Sequence, residues 1–384
     1  MSPGKDKALP FPIKVGVFSY HVAESKRRAG MHWLAFALRD LNCDVKFFTA
    51  GLSPISNLKG DHRLTASSFP LNKWYHFEGL DCFKWYAPFH PVNLRSELCN
   101  RLSALVFKHY GRLLHNSIRR IIAASDVVIV ESCAWLMVLY HMLRRERFTS
   151  RIVYRVSDDL ELMGVHPVLL TSELNVLRNS DYVSVPNQRL KAMVDAKFSG
   201  TSALDHHGIH ADIFDSSPAA TLRSGRKHAV FVGVGFLDQD FIEIASSAFR
   251  DIDYHIIGPI EPRFSRDNVI WYGEIPFAQT VPILKAADIA LSPLKSLRSD
   301  VGVFADSLKI LQYTYLGLPI VVPEAFGKNR PNFITYHPND ASTIVDAINR
   351  AINFRRNEVA LKSSVYDWKV LALKLIGKDV TKVD

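Results

Sequence analysis

Long apolar runs are missing from this sequence. Runs such as Val127–Val130 and Leu318–Val322 fall far short of the roughly twenty residues that span a bilayer. A membrane-spanning helix is thereby excluded as the organising element. Cysteine is scarce as well: Cys43, Cys82, Cys99 and Cys133 are scattered, with no C-x-x-C spacing. A disulfide framework or zinc site is not expected, and the four read as small buried hydrophobes in a reducing compartment. The fifteen histidines form no metal-ligand signature, since His206, His207 and His210 crowd a single loop. The N-terminus mixes charges and prolines and lacks an apolar signal core, so the expected location is cytoplasmic. Internal repeats and low-complexity segments are absent. No RNP, zinc-finger or helix-turn-helix pattern occurs, so nucleic acid is not the expected partner.

What is present is a basic excess, 47 Lys and Arg against 38 Asp and Glu, for a net charge of +9. Phosphorylated small molecules and an anionic membrane surface both suit such a balance. At 384 residues, 48% apolar and 22% charged, the chain is too long for one ordinary core and reads as two or three domains. Short β-branched runs alternate with helical patterns from end to end. The strands read at 14–19, 44–49, 126–131, 151–156 and 182–186, then again at 229–234, 253–257, 269–272, 288–292 and 318–322. Runs apolar on both faces that alternate with helices predict an α/β chain of parallel, doubly wound sheets. Two such series make two Rossmann-like domains, at 1–212 and 213–360, with a cleft expected between them. The seam lies in the polar, serine-rich and basic stretch 209–227. The last segment, 361–384, carries a helix expected to cross back to the first domain.

Ligands on such sheets sit at the carboxyl ends of the strands. In ADSLKILQYTYLGLP, 305–319, Asp306 and Ser307 suit a helix start, and Gly317 and Pro319 stop the helix. A helix start offers unpaired N–H groups and partial positive charge to a diphosphate. Lys309 adds a full charge one turn in, and Gln312 lies three residues further on the same face. An ordinary amphipathic helix with a solvated lysine is the alternative. In VGVGFLD, 232–238, Gly233 and Gly235 permit close backbone approach, although Asp238 stands where a third dinucleotide-fingerprint glycine is expected. Glu274 follows a strand end and either accepts from a uracil or ribose group or caps the next helix.

In the first domain, Ser157, Asp158 and Asp159 follow a buried strand. Sugar transfer to an alcohol needs a general base, commonly Asp or Glu. One aspartate would serve as base and the other as cap. The loop 20–32 carries Arg27 and Arg28, whose planar forks match phosphate or a sugar carboxylate; solvated surface charge is the alternative. Residues 94–122 read as amphipathic, basic helices preceded by the aromatic stretch FKWYAPFHP. They suit the headgroup region of an anionic bilayer or ordinary core packing.

Several segments, taken together, carry a resemblance. KGDHRL (59–64), LDCFKWYAPFHPVN (80–93), SDVVIVES (125–132), VYRVSDDL (153–160), NVIWYGEIPFAQT (268–280) and ADSLKILQYTYLGLP (305–319) lie in order along nearly the whole chain. With them the sequence resembles the GumK-type bacterial glucuronosyltransferases of xanthan-like exopolysaccharide assembly, inverting enzymes of the GT-B fold. The resemblance implies transfer of glucuronate from UDP-glucuronate to a mannose of a polyprenyl-diphosphate-linked oligosaccharide, forming a β-linkage. It also implies work at the inner face of the cell membrane, without a bound metal or other cofactor. By motif match Asp158 falls on the general base, Ser307, Lys309 and Gln312 on nucleotide-binding positions, and Glu274 near the uracil. Arg27 and Arg28 match a basic pair that meets the charged donor. Leu294, Gly235 and Leu308 stand where the pattern has tyrosine, methionine and methionine, all in the donor region alongside Asp306. A transferase using another UDP-sugar, a UDP-sugar epimerase and a non-enzymatic binder of anionic surfaces are the competing readings.

Overall fold

The structure is a computed structural model that describes residues 12–379 apart from 26–27, 66–67, 145–147, 234, 295–304, 328–329, 339 and 356–357. The chain forms two compact units: Met1–His206 with Trp368–Asp384, and His207–Asp367. The crossings fall at 206/207 and 367/368, beside the expected 212/213 and 360/361.

Among the described residues, unit 1 is built on eight strands. They are β1 (Lys14–Ser19), β2 (Asp44–Leu52), β3 (Trp74–Phe77), β4 (Leu80–Tyr86), β5 (Val127–Glu131), β6 (Arg151–Arg155), β7 (Tyr182–Val185) and β8 (Ala203–Leu204). Their order is β3-β4-β2-β1-β5-β6-β7-β8, parallel except for the β3–β4 pair. The chain winds outward from β1 through β2, then crosses to start again at β5, so the strand order reverses between β1 and β5. Both are central, and β5 is buried along its whole length, as a strand covered by helices on both faces must be.

Unit 2 carries β9 (Lys227–Val232), β10 (Ile252–Ile257), β11 (Val269–Gly273), β12 (Ile289–Leu291), β13 (Ile320–Pro323) and β14 (Phe333–Tyr336). All pair in parallel in the order β11-β10-β9-β12-β13-β14, with the reversal between β9 and β12. One glycine is obligatory here. A Cβ on Gly258, just past β10, would lie 1.7 Å from the Gly233 carbonyl oxygen, and its φ of 145° belongs to glycine alone.

Of the two readings of the aromatic stretch, core packing holds for its first part. Cys82, Phe83, Lys84 and Trp85 are buried within β4. The Lys84 ammonium is accommodated by Glu24 at 2.6 Å, whose other oxygen accepts from Tyr75 Oη at 2.6 Å. Of the four cysteines, Cys99 is exposed and the other three are buried. The C-terminal helix Trp368–Leu375 packs in unit 1 against helix Gly30–Asp40. Arg151 Nε donates to the Leu375 carbonyl at 3.2 Å, and Lys374 pairs with buried Asp205.

Candidate active-site residues

At the reversal in unit 1, three strand ends are tied through one carboxylate. Glu131 closes β5; its Oε2 accepts from Ser19 Oγ at 2.6 Å and from the Tyr20 amide at 3.0 Å. Its Oε1 accepts from Ser157 Oγ at 2.9 Å. The Ser157 amide donates to Ser132 Oγ at 3.1 Å, and that hydroxyl meets Tyr154 Oη at 3.0 Å. Tyr154 Oη in turn donates to Glu173 at 2.7 Å. Glu173 is buried beneath Tyr154, and burial raises its carboxyl above the usual range.

Asp158 and Asp159 take different parts. Asp159 Oδ1 accepts from the Glu161 and Leu162 amides at 3.0 and 3.3 Å, with Lys197 Nζ 3.8 Å away. It closes the turn that follows β6, and no helix begins there: the next starts at Pro167 behind the N-cap His166. Asp158 is left reaching solvent, yet protein packed around its base strips part of its hydration. That desolvation raises its carboxyl above the usual range; the like charge of Glu131 adds to the rise and His21 opposes it.

The basic loop behaves differently from expectation. Arg27 lies outside the described residues. Arg28 is already engaged: Nη2 pairs with Glu78 at 2.5 Å and Nη1 donates to the Ala23 carbonyl at 3.0 Å. Its plane lies over Phe36 and Phe77 at 5.1 and 5.5 Å from the ring centroids. The Arg28 fork is thus already engaged by a carboxylate, a carbonyl and two rings.

In unit 2, helix Leu308–Tyr315 stands at the strand reversal. Tyr313 is fully buried and accepts the Val232 amide, at the end of β9, at 2.9 Å. Lys309 Nζ lies over the Phe231 ring, 4.6 Å from its centroid. A Cβ on Gly233 would strike that same ring at 2.7 Å. Burial alone pushes the Lys309 ammonium down to about 7, because the ring and the helix displace water without supplying a full negative charge. Ser307 is the N-cap residue, but its hydroxyl makes no capping bond and is buried without a partner. The Ser292 hydroxyl, just past β12, is buried and unpartnered too. Buried polar groups in native proteins are nearly always satisfied, so these two unmet hydroxyls stand out. Asp306 does not cap; its Oδ1 pairs with Arg330 at 2.8 Å. Leu308 and Gln312 are half-buried on this helix, and Gln312 shares the Lys309 face. Gly235 has open space around it and precedes Phe236, an exposed ring at φ 59°. Glu274 follows Gly273, whose φ is 66°, and is exposed.

A third feature lies on helix Glu97–Phe107 of unit 1. Leu98, Leu102, Leu105 and Val106 are 67, 60, 61 and 51% exposed, at spacings that place them on one face. Core packing does not account for them, whereas Leu114 and Ile118 further on are buried. Arg119 donates to the Leu114 and Gly111 carbonyls at 3.0 and 2.8 Å and braces the turn. No helix among the described residues is long and apolar enough to cross a membrane.

Sequence reasoning passed over Glu131, Ser292 and Arg330. For Glu131 and Ser292 the available signal was positional: each lies at or just beyond the carboxyl end of a strand.

The glucuronosyltransferase GumK N-terminal domain family matches residues 17–186. A UDP-glucuronate:glycolipid 2-beta-glucuronosyltransferase of Xanthomonas campestris pv. campestris is 30% identical over 345 residues, 88% of this chain and 84% of that protein. Among solved structures, a UDP-forming alpha,alpha-trehalose-phosphate synthase of Burkholderia xenovorans aligns with a TM-score of 0.57 at 12% identity, over 94% of this chain and 99% of that one. Anabaena HepE, solved with UDP and glucose, aligns at 0.54 and 12% identity over 96% of each chain. Likeness at such identities establishes the fold, which is GT-B, with two Rossmann-like domains.

Proposed function

The chain belongs to the GumK glucuronosyltransferase family, and from that premise we propose that it transfers glucuronate from UDP-glucuronate to a glycolipid. The proposed acceptor is a mannose of a polyprenyl-diphosphate-linked oligosaccharide in exopolysaccharide synthesis, and the new linkage is β. The observation that carries the reading is the polar set of unit 2: a desolvated lysine and the buried, unpartnered Ser307 hydroxyl at one helix start. Such a set suits a diphosphate.

The reaction is a single displacement with inversion. The acceptor oxygen attacks the anomeric carbon while Asp158 takes its proton. The bond from that carbon to the diphosphate oxygen breaks, and its electron pair leaves with UDP. Lys309 and the first-turn amides of helix Leu308–Tyr315 meet the charge that grows on the leaving group. Ser307 and Gln312 bind the nucleotide, Glu274 lies by the uracil, and Asp306, Leu308 and Gly235 shape the donor region. The chemistry asks for no metal, because the lysine and helix start supply the positive charge. The exposed face of helix Glu97–Phe107 supports peripheral association with an anionic membrane surface, where a lipid-linked acceptor resides.

Calorimetric titration with UDP, followed by mass-detected transfer across a panel of UDP-sugars, tests this reading. UDP binding with product from UDP-glucuronate is expected. Absence of UDP binding at millimolar ligand would sink it, and product from UDP-glucose alone would reassign the donor.

A further inference from the structure

Glu131 is a buried carboxylate that the mechanism above leaves unused. It ends a strand otherwise composed of valines and isoleucine and lies where the strand order of unit 1 reverses. A charge taken out of water has to be compensated. Here the compensation is neutral: the Ser19 hydroxyl, the Tyr20 amide and the Ser157 hydroxyl, from three separate chain segments. Among the described residues no lysine or arginine pairs with it. Its negative charge is therefore not cancelled locally and acts on neighbouring groups. Two of them, the Cys133 thiol and the Asp158 carboxyl, are raised chiefly by desolvation, and the Glu131 charge adds to the rise in each. Ser157, one residue before Asp158, is gripped twice in the same network, through its hydroxyl by Glu131 and through its amide by Ser132.

We propose that Glu131 is a positioning residue for Asp158: it clamps Ser157 so that the next side chain faces the acceptor hydroxyl, and it holds a fixed negative charge beside that side chain. The proposal rests on Asp158 as the base. The charged groups facing Asp158 are Glu131 at the end of β5 and His21 after β1, and they act in opposite senses. A like charge nearby makes a carboxylate bind its proton more tightly, so Glu131 moves the acid limb of the rate to higher pH. It also makes the base stronger once deprotonated.

The test is the pH profile of kcat for Glu131→Gln, which keeps the shape and removes the charge. The acid limb is expected to move to lower pH by about one unit. The plateau should fall about three- to tenfold because a weaker base transfers the proton less readily. UDP affinity should stay unchanged. Ser157→Ala, which loosens the clamp and keeps the charge, should lower the plateau with the limb in place. Where Glu131→Gln does not fold, Glu131→Asp decides: the retained charge, drawn back by one methylene, should give a smaller shift in the same direction. A folded Glu131→Gln enzyme with wild-type limb and rate, beside an inactive Asp158→Asn enzyme, overturns the positioning role and leaves the base assignment intact. An Asp158→Asn enzyme with wild-type turnover removes both.

Discussion

The two strand reversals of this chain handle polar groups in opposite ways. In unit 1 the four hydroxyls of the Ser19–Glu131–Ser157–Ser132–Tyr154–Glu173 network and both oxygens of Glu131 have hydrogen-bond partners. In unit 2 the Ser307 and Ser292 hydroxyls have none, and Lys309 is desolvated over a phenyl ring. The first arrangement is complete before substrate arrives and fixes a geometry. The second carries unmet hydrogen bonding and a desolvated charge. On the proposed assignment, an orienting site and a binding site on the same architecture differ in where satisfaction comes from, the protein itself or the ligand.

The largest expected effect breaks the comparison at unit 1. Asp158→Asn should lower kcat by about 10²–10⁴-fold, the usual contribution of a general base, with UDP affinity intact by calorimetry. Wild-type turnover in a folded variant would remove Asp158 from the chemistry. Next, Lys309→Met should weaken UDP binding about ten- to hundredfold, the worth of a hydrogen bond to a charged group. The same variant should melt at a higher temperature without UDP, since a desolvated cation is replaced by an apolar chain of similar length. A lower melting temperature would mean that the lysine is structurally satisfied and the contrast false. Ser307→Ala should likewise be neutral or stabilising, because it deletes a buried hydroxyl that makes no bond.

A pH experiment sharpens the same contrast. Free Lys309 titrates near 7, and a bound diphosphate would return it toward the ordinary lysine range. UDP binding at pH 8–9 should therefore take up protons, and affinity should fall by up to about tenfold per unit as pH rises above 7. Calorimetry in two buffers of different ionisation heat reads the uptake directly, and Lys309→Met should abolish it. The smallest effect concerns the exposed face of helix Glu97–Phe107. Leu102→Ser with Leu105→Ser should reduce sedimentation with anionic vesicles several-fold, since shallow insertion among headgroups recovers only a fraction of the about 1.5–3 kcal/mol of a fully buried leucine. The fold should be unaffected, as neither side chain packs in the core. Unchanged sedimentation would exclude this face from membrane contact.

Much of the architecture was legible in local sequence. Strands such as β1, β5 and β10 announced themselves by apolar residues on both faces, and their ends fell within a residue or two of expectation. β3 and β4 were missed because Asp81 and Lys84 interrupt the aromatic pattern. Lys84 is tolerated in the core through Glu24, sixty residues away in sequence, a pairing no local window contains. The site divides in the same manner. The Lys309 helix start was readable because cap, cation and glycine stop are contiguous. The roles of Asp158 and Asp159 were not, since they depend on which carboxylate meets the Glu161 and Leu162 amides. Arg28 looked available until Glu78, fifty residues on, was seen to occupy it.

The path of the chain through unit 2 has a practical corollary. It enters at His207 and leaves at Asp367, and these ends lie side by side: the Ile209 amide donates to the Tyr366 carbonyl at 2.9 Å, and the Ala211 amide to Asp367 at 3.1 Å. Unit 2 is thus an insertion whose two termini are stapled together, a closed cassette with a single point of entry. A short graft joining 206 to 368 should leave unit 1 with its own C-terminal helix, and the excised piece should keep its core. If unit 2 holds the donor as proposed, exchange of such cassettes between relatives would alter the nucleotide-sugar while leaving the Glu131–Ser157 contact in unit 1 untouched.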